Sequence, residues 1–505
     1  MAKTAVAGGT PAVVGGVDRI VLTAAGPDDL VRMGTPQGRW VLTATILASG
    51  MAFLDGTVVN VALRAIGNDL DADLGDLQWV VSAYMLTLAS LILVAGSLGD
   101  IVGRRRVFLV GVIWFAVASV LCGLAPNPLT LIVARALQGV GGALLTPGSL
   151  AILQSGFRPE DRARAIGAWS GLAGVSTAIG PFLGGWLVIE ASWRWIFWIN
   201  VPLAAVVVLV TLRHVPTSCN STMGTGRRLD TVGALLGSLG LAGLTFALIE
   251  AGSGVTRLVA AAGIAGVVVL VAFVVSQRRS VAPMVPPRLF ASRTFTTTNA
   301  LTLVVYAALA VMSFFLVLQL QVSLGWTPLA AGASMLPVTV LMLLFSAQAG
   351  ALAQRIGPRL PLTVGPLLAA VGVGWLVGVG PGDDYLPDIL PALAVFGVGL
   401  TIIVAPLTAT VLAAAPDAMA GVASGVNNAV ARTGSLLAVA ALPLAVGLSG
   451  ADYESASAFG AGYRDAMIIC AVLLVLGGLA ALLGLPSAAD TTKGHRAQLQ
   501  PETSG

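Results

Sequence analysis

The chain has 505 residues, 57% of them hydrophobic and only 10% charged, and its mean hydropathy is +0.93. Soluble domains carry about 25% charge, so this composition excludes an ordinary soluble protein and points to an integral membrane one. A net charge of +4 would attract nucleic acid only from a basic face, and here the charge is scattered through short loops, where it reports topology. Cys122 and Cys470 fall in apolar runs and Cys219 in a loop, with no spacing for a disulfide or a metal site. No phosphate loop of the G-x-x-x-x-G-K-[ST] kind occurs, so nucleotide hydrolysis is unsupported; no enzyme activity and no cofactor are expected. Twenty-five of the 27 basic residues are arginine, a bias that fits a GC-rich bacterial genome.

A membrane-spanning helix needs about 20 mainly apolar residues. Residues 1–38 hold no such run and read as a loose tail. The segment 39–213 carries six predicted spans at 40–63, 78–98, 107–125, 128–153, 165–188 and 195–212. A loop at 214–230 leads to an additional pair within 231–276, at 231–250 and 257–276. A linker at 277–296 precedes six more spans within 297–486, at 297–321, 328–352, 362–380, 387–413, 418–448 and 465–485. Residues 487–505 form a second tail. The expected architecture is all-α, with fourteen spans.

Charge tests this count. Arg104, Arg105, Arg106, Arg158, Arg162, Arg164, Arg355 and Arg359 all fall in loops on one side, whereas loops on the other keep only Arg64, Arg194, Arg257 and Arg464. Basic loops face the cytoplasm, so both termini are expected there.

An internal repeat supports the division. Shifting the stretch Gly96–Gly111 onto Gly350–Gly365 aligns Gly96 with Gly350, Gly103 with Gly357, Arg105 with Arg359 and Gly111 with Gly365. At the same offset Gly167, Gly171 and Gly180 fall on Gly421, Gly425 and Gly434. One register held over two regions implies two six-helix halves, the construction of many secondary transporters. Two additional helices, 231–276, lie between the halves.

Three ionisable residues lie deep in predicted spans: Asp55, Arg135 and Arg432. Each costs about 2.5–3.5 kcal/mol at a helix centre on insertion scales, so each is expected to face a cavity or a partner. Asp55 is the one deep carboxylate. Desolvation favours its protonated form and an approaching Arg135 favours the carboxylate, which suits a proton carrier. The competing reading is a polar contact that locks helices. Glycine is the second signal: Gly167, Gly180, Gly184 and Gly185 crowd one span with Pro181. Small residues admit close helix approach and proline permits a kink, which predicts a bending or sealing helix.

These residues resemble the major facilitator superfamily, and within it the fourteen-helix drug:proton antiporters. Gly96-x-Leu98-x-Asp100-x-x-Gly103-Arg104-Arg105 is similar to the superfamily's loop between helices 2 and 3. Leu131-x-x-x-Arg135-x-x-Gln138-Gly139 resembles its helix-4 motif, whose arginine is linked to proton transfer. Gly167 and Gly180-Pro181-x-x-Gly184-Gly185 resemble the helix-5 antiporter motif of exporters. Leu54-Asp55-x-Thr57-Val58-Val59-Asn60 resembles the helix-1 motif of the fourteen-helix exporters, and Trp193 to Pro202 another signature of that group. The resemblance implies a major-facilitator-type fold and proton-driven efflux across the bacterial cytoplasmic membrane by alternating access. It implies proton coupling by Asp55 and Arg135, and a conformational latch at Gly96, Asp100, Gly103, Arg104 and Arg105. Two departures stand out. Ile101 replaces the usual basic residue after the loop aspartate, and Arg64 replaces the proline that usually ends the helix-1 motif, which puts the outer end of that helix in question.

For the cargo, Asn60, Gln78, Gln138, Gln321 and Asn427 offer hydrogen bonds, with helix-to-helix bonding as an equal reading. Tyr84, Trp169 and Tyr306, with Phe53, Trp114, Phe314, Phe315 and Trp375, offer aromatic walls for bulky amphiphiles. Arg432 completes the set of candidate cavity residues. With no deep acid in the second half, the expected substrate is a neutral, zwitterionic or weakly charged amphiphile such as an antibiotic. The sequence does not name an oligomeric state; a single copy in the bilayer is expected to suffice for this task, with no metal and no nucleic acid. An uptake symporter or facilitator on the same fold is the alternative, and a non-transporting receptor or scaffold is a second one.

Overall fold

The computed structural model describes residues 30–216, 230–416, 419–449, 452 and 455–486. Within them the chain forms sixteen α-helices and no sheet. Thirteen helices are long and apolar enough to cross a membrane. The helix α5 (Pro159–Glu190), with 32 residues, supplies the length of a fourteenth. Backbone groups in a bilayer must be satisfied within the chain, and helices alone do so here.

The first half comprises α1 (Pro36–Leu70), α2 (Leu74–Val102), α3 (Arg104–Gly123), α4 (Pro128–Gly156), α5 and the short α6 (Trp195–Trp198) running into α7 (Asn200–His214). The additional pair is α8 (Thr231–Glu250) and α9 (Arg257–Arg279). The second half comprises α10 (Arg293–Val322), α11 (Pro328–Ala333) leading into α12 (Leu336–Ile356), α13 (Arg359–Leu376), α14 (Leu390–Ala413), α15 (Ala420–Ala445) and α16 (Ala456–Gly484).

Local chemistry sets the ends. Thr35 caps α1 by accepting from Gly38 N at 3.1 Å. Asp73 and Asp76 cap α2 reciprocally, so two acids of the first loop are structural. Another, Asp71, ends α1 in the left-handed region at φ 55°. The predicted first span stops at 63, but α1 continues to Leu70. No proline stands at 64, and the Arg64 guanidinium leaves the helix surface to bond the Gln321 carbonyl, so a charge the sequence reading takes as a boundary is accommodated inside the helix.

The repeat is visible in the backbone. Gly103 ends α2 at φ 108° and Gly357 ends α12 at φ 83°, values that glycine adopts without steric cost. The pairs α3–α4 and α13–α14 match, as do α1–α5 and α10–α15. A Cβ on Gly111 would lie 2.8 Å from Leu144 Cβ, and one on its mate Gly365 would lie 2.6 Å from Ile403. Both positions hold their neighbours closer than any side chain allows.

The additional pair has a definite seat. Helix α8 packs against α2 and α15, one helix from each half, and Trp79 Nε1 donates to Glu250 Oε1 at 3.1 Å. Outside it, α9 is mostly exposed. Of the first tail, residues 1–29 lie outside the described residues, but its end is not loose. Val31 is buried and pairs with the α4–α5 turn, donating to the Gly156 carbonyl at 2.8 Å, and Met33 N donates to Asp161 at 2.9 Å. Cys219 and most of the 214–230 loop also lie outside the described residues.

Candidate functional site

Asp55 sits near the middle of α1 and is fully buried. Helix α4 brings Arg135 to it: Arg135 Nη1 donates to Asp55 Oδ2 at 2.5 Å and to Gln138 Oε1 at 2.6 Å, while Nε donates to the Val80 carbonyl at 3.0 Å. Gln138, three residues along the same helix face, donates to the second oxygen, Asp55 Oδ1, at 2.8 Å and to Ser119 Oγ at 2.8 Å. Tyr84 forms the floor, its ring 4.3 Å from the Arg135 guanidinium. Its hydroxyl donates to the Ala52 carbonyl at 3.2 Å. Both carboxylate oxygens thus accept charged or amide donors.

The network needs glycine around it. Gly139 and Gly142 pass so close to Tyr84 that a Cβ on Gly139 would lie 2.3 Å from its carbonyl oxygen and one on Gly142 3.2 Å from its hydroxyl. The glycines of the helix-4 stretch therefore let Arg135 reach α1 and α2. Gln138 and Tyr84 thus belong to the ion-pair cluster, and both are buried.

The remaining candidates divide by position. Phe53, Trp169, Tyr306 and Arg432 gather where the halves meet. The Phe53 and Trp169 rings lie edge to face at 6.4 Å, Trp169 Nε1 donates to Ser49 Oγ at 3.0 Å, and the Arg432 guanidinium from α15 reaches across to lie 5.7 Å from the Phe53 ring. All four are half-buried. Asn60 is half-buried farther along α1. Gln78 is buried beside a small crevice lined by Leu74, Ile249 and Leu448, near the N-terminal end of α2. Gln321 and Asn427 are engaged in helix-to-helix bonds: Gln321 Nε2 with the Val61 carbonyl at 3.2 Å, and Asn427 Nδ2 with Thr302 Oγ1 at 2.8 Å and Asn299 Oδ1 at 3.2 Å. Phe314 and Phe315 are core, while Trp114 and Trp375 face outward from the bundle.

The glycine-rich helix α5 seals a seam. Gly180 lies against Thr57 and the Leu54 carbonyl, and Gly184 against Val58, so α5 lies flush on α1. Gly185 faces the other half, where a Cβ would lie 2.4 Å from Leu329 Cα, and Gly332 meets the Pro181 carbonyl in return. With the Arg64–Gln321 and Gln321–Val61 bonds, these contacts close the bundle at the end where α1 turns into α2. Toward the opposite end, Gly167 and its repeat mate Gly421 are exposed, with no atom within 4 Å of an added Cβ.

In the turn between α2 and α3, Arg104 donates to the Ala151 carbonyl at 3.1 Å and Arg105 to the Leu212 carbonyl at 2.7 Å. Gly96 faces Pro147 at 4.0 Å. All these partners lie in the first half. Sequence reasoning missed one cluster: Arg194 pairs with Asp69 at 2.5 Å, stacks on Trp193 at 4.4 Å, and Trp193 Nε1 donates to Asp69 at 3.0 Å. The Trp-Arg-Trp run was the available signal.

Two repeated bundles of membrane-length helices, the first holding a buried Asp55–Arg135 pair, define a multi-pass membrane protein of the transporter type. The chain belongs to the Major Facilitator Superfamily, whose family model matches residues 45–440. It is 36% identical over 410 residues to the multidrug resistance protein Stp of Mycobacterium tuberculosis, covering 79% of this chain and 74% of that one. It is also 36% identical over 417 residues to the puromycin resistance protein pur8 of Streptomyces alboniger, covering 81% of each. Among solved structures, the peptide transporter POT in complex with sulfate superimposes with a TM-score of 0.66 over 91% of this chain and 98% of that one, at 12% identity, a likeness of fold alone.

Proposed function

We propose that this protein exports amphiphilic drugs or antibiotics across the cytoplasmic membrane of a bacterium, driven by protons entering in exchange. The observation that carries the reading is the buried Asp55–Arg135–Gln138 network, next to a seam that is closed at one end. An ion pair away from water is held only while both partners are charged. Protonating Asp55 removes the charge that Arg135 needs, and an unpaired buried arginine is costly by several kcal/mol. The pair therefore gives α1 two states relative to α4, and α1 carries both Phe53 at the seam and the Val61–Arg64 contacts of the closed end. Resistance and export proteins among the relatives support the direction.

Both termini lie in the cytoplasm in this reading, a placement the basic loops support, and the closed end is the external one. In this reading the six-helix halves, 39–213 and 297–486, rock about the seam, and Asn60, Trp169, Tyr306 and Arg432 face the cargo. Asp100 latches the cytoplasmic ends when the cycle reverses, with Gly96, Gly103, Arg104 and Arg105 shaping its turn. Energised everted vesicles test the proposal. They should accumulate at least one member of a broad antibiotic panel, and adding that compound should release protons. Vesicles that do neither would sink it.

A further inference from the structure

Arg432 stands at the centre of α15 (Ala420–Ala445), half-buried at the junction of the two halves. Among the described residues it forms no ion pair; the deep carboxylate, Asp55, is taken by Arg135 at 2.5 Å. Its described contact is the Phe53 ring at 5.7 Å. A guanidinium at bilayer depth with an aromatic face and no counter-charge is an expensive group. It has five donors in a planar fork that matches a carboxylate or other oxyanion. Beside it the Phe53–Trp169 pair offers an apolar slab from the opposite half.

We propose that Arg432 is the recognition site for an anionic group, and that the preferred cargo is an amphiphilic anion whose apolar body lies on Phe53 and Trp169. The inference rests on the export reading for the word cargo, but the binding preference is separable from transport. It narrows the expected range of neutral, zwitterionic or weakly charged substrates to acids. It also gives the two bundles a shared ligand, with the charge held by α15 and the body held by α1 and α5.

The test uses the full-length protein in phosphatidylcholine nanodiscs and three dyes with the same fluorophore: dansyl-aminohexanoate, its methyl ester, and dansylcadaverine. The anion should bind about tenfold or more tightly than the ester or the amine, the scale of one charge-assisted bond. Arg432→Gln should bring the anion down to the level of the ester, and Arg432→Lys should keep part of the preference. Equal binding of all three dyes to the unaltered protein overturns the proposal without need of a variant. So does a preference that survives in Arg432→Gln, which would leave Arg432 as a partner for Asp55 in another state. Doping the discs with phosphatidylglycerol separates sources. Displacement of the anionic dye assigns the site to a lipid headgroup, no displacement to a soluble acid, and either result upholds an anion site. Anion-selective binding without proton-linked transport would sink the export reading and leave the site standing.

Discussion

At the residue scale the chemistry concentrates on Asp55. Asp55→Asn keeps the shape of the carboxylate and one acceptor oxygen, but it cannot carry a proton. Proton-linked export in everted vesicles should fall to background while the protein still elutes as a single species in detergent. Full export by that variant would remove Asp55 as the carrier. Gln138→Leu should act differently, because it strips donors from Asp55 Oδ1 and Ser119 Oγ and an acceptor from Arg135 Nη1 while leaving the Arg135–Asp55 bond in place. Orphaned buried polar atoms cost about 1–3 kcal/mol each, so the melting temperature in detergent should drop by several degrees. Asp55 and Arg135 were legible in the sequence because a charge within an apolar run is costly and needs a reason. Gln138 stayed open between cavity and helix-to-helix bonding by the same reasoning, since a neutral amide gives no sign of which helix it faces. Arg432 was legible as a deep charge, but that no carboxylate among the described residues pairs with it became visible only in the structure.

At the element scale the repeated turn and the glycine helix do separate work. Gly103 holds φ 108° between α2 and α3, where a side chain costs about 1–3 kcal/mol. Gly103→Ala and its mate Gly357→Ala should each lower thermal stability by that order, as read in a thermal-shift series. Equal stability to the parent would show that the turns relax freely. Gly185→Val tests the seam instead: its side chain would enter the backbone of Leu329, 2.4 Å from an added Cβ. Overpacking of this kind costs about 1–3 kcal/mol, and here it falls on one conformation alone. The repeat register made these turns readable from spacing. The reach of α1 to Leu70 was not readable, because a charge at 64 looks like a helix end until Gln321 is seen across the seam. The seat of α8 on both α2 and α15 was equally hidden, since an apolar helix does not encode which apolar neighbour it meets.

At the scale of the whole molecule the two halves pack together along α2 and α15 and along α5 with α11 and α12, and the closed end adds a few polar contacts that set its balance. Arg64 supplies a charged donor to the Gln321 carbonyl, and Gln321 returns a bond to the Val61 carbonyl. Hydrogen bonds to charged groups contribute about 1.5–3 kcal/mol, so Arg64→Ala should shift the equilibrium toward opening at that end by tenfold or more, about 1.4 kcal/mol per factor of ten. The shift can be read with a thiol introduced at Asn60→Cys, on α1 inside the seam, in a chain lacking Cys122, Cys219 and Cys470. A membrane-impermeant maleimide added from the outside should label this position slowly while Arg64 is present and at least tenfold faster in Arg64→Ala. Protonation of Asp55 should act in the same direction, because it frees α1 from Arg135 on α4 and thereby loosens the helix that carries both Val61 and Arg64. Labelling that rises at low pH in the parent but not in the Asp55→Asn variant would join the two events through one helix. A rise of the same size in both would separate them, and the gate would then respond to protons through some group other than the buried pair.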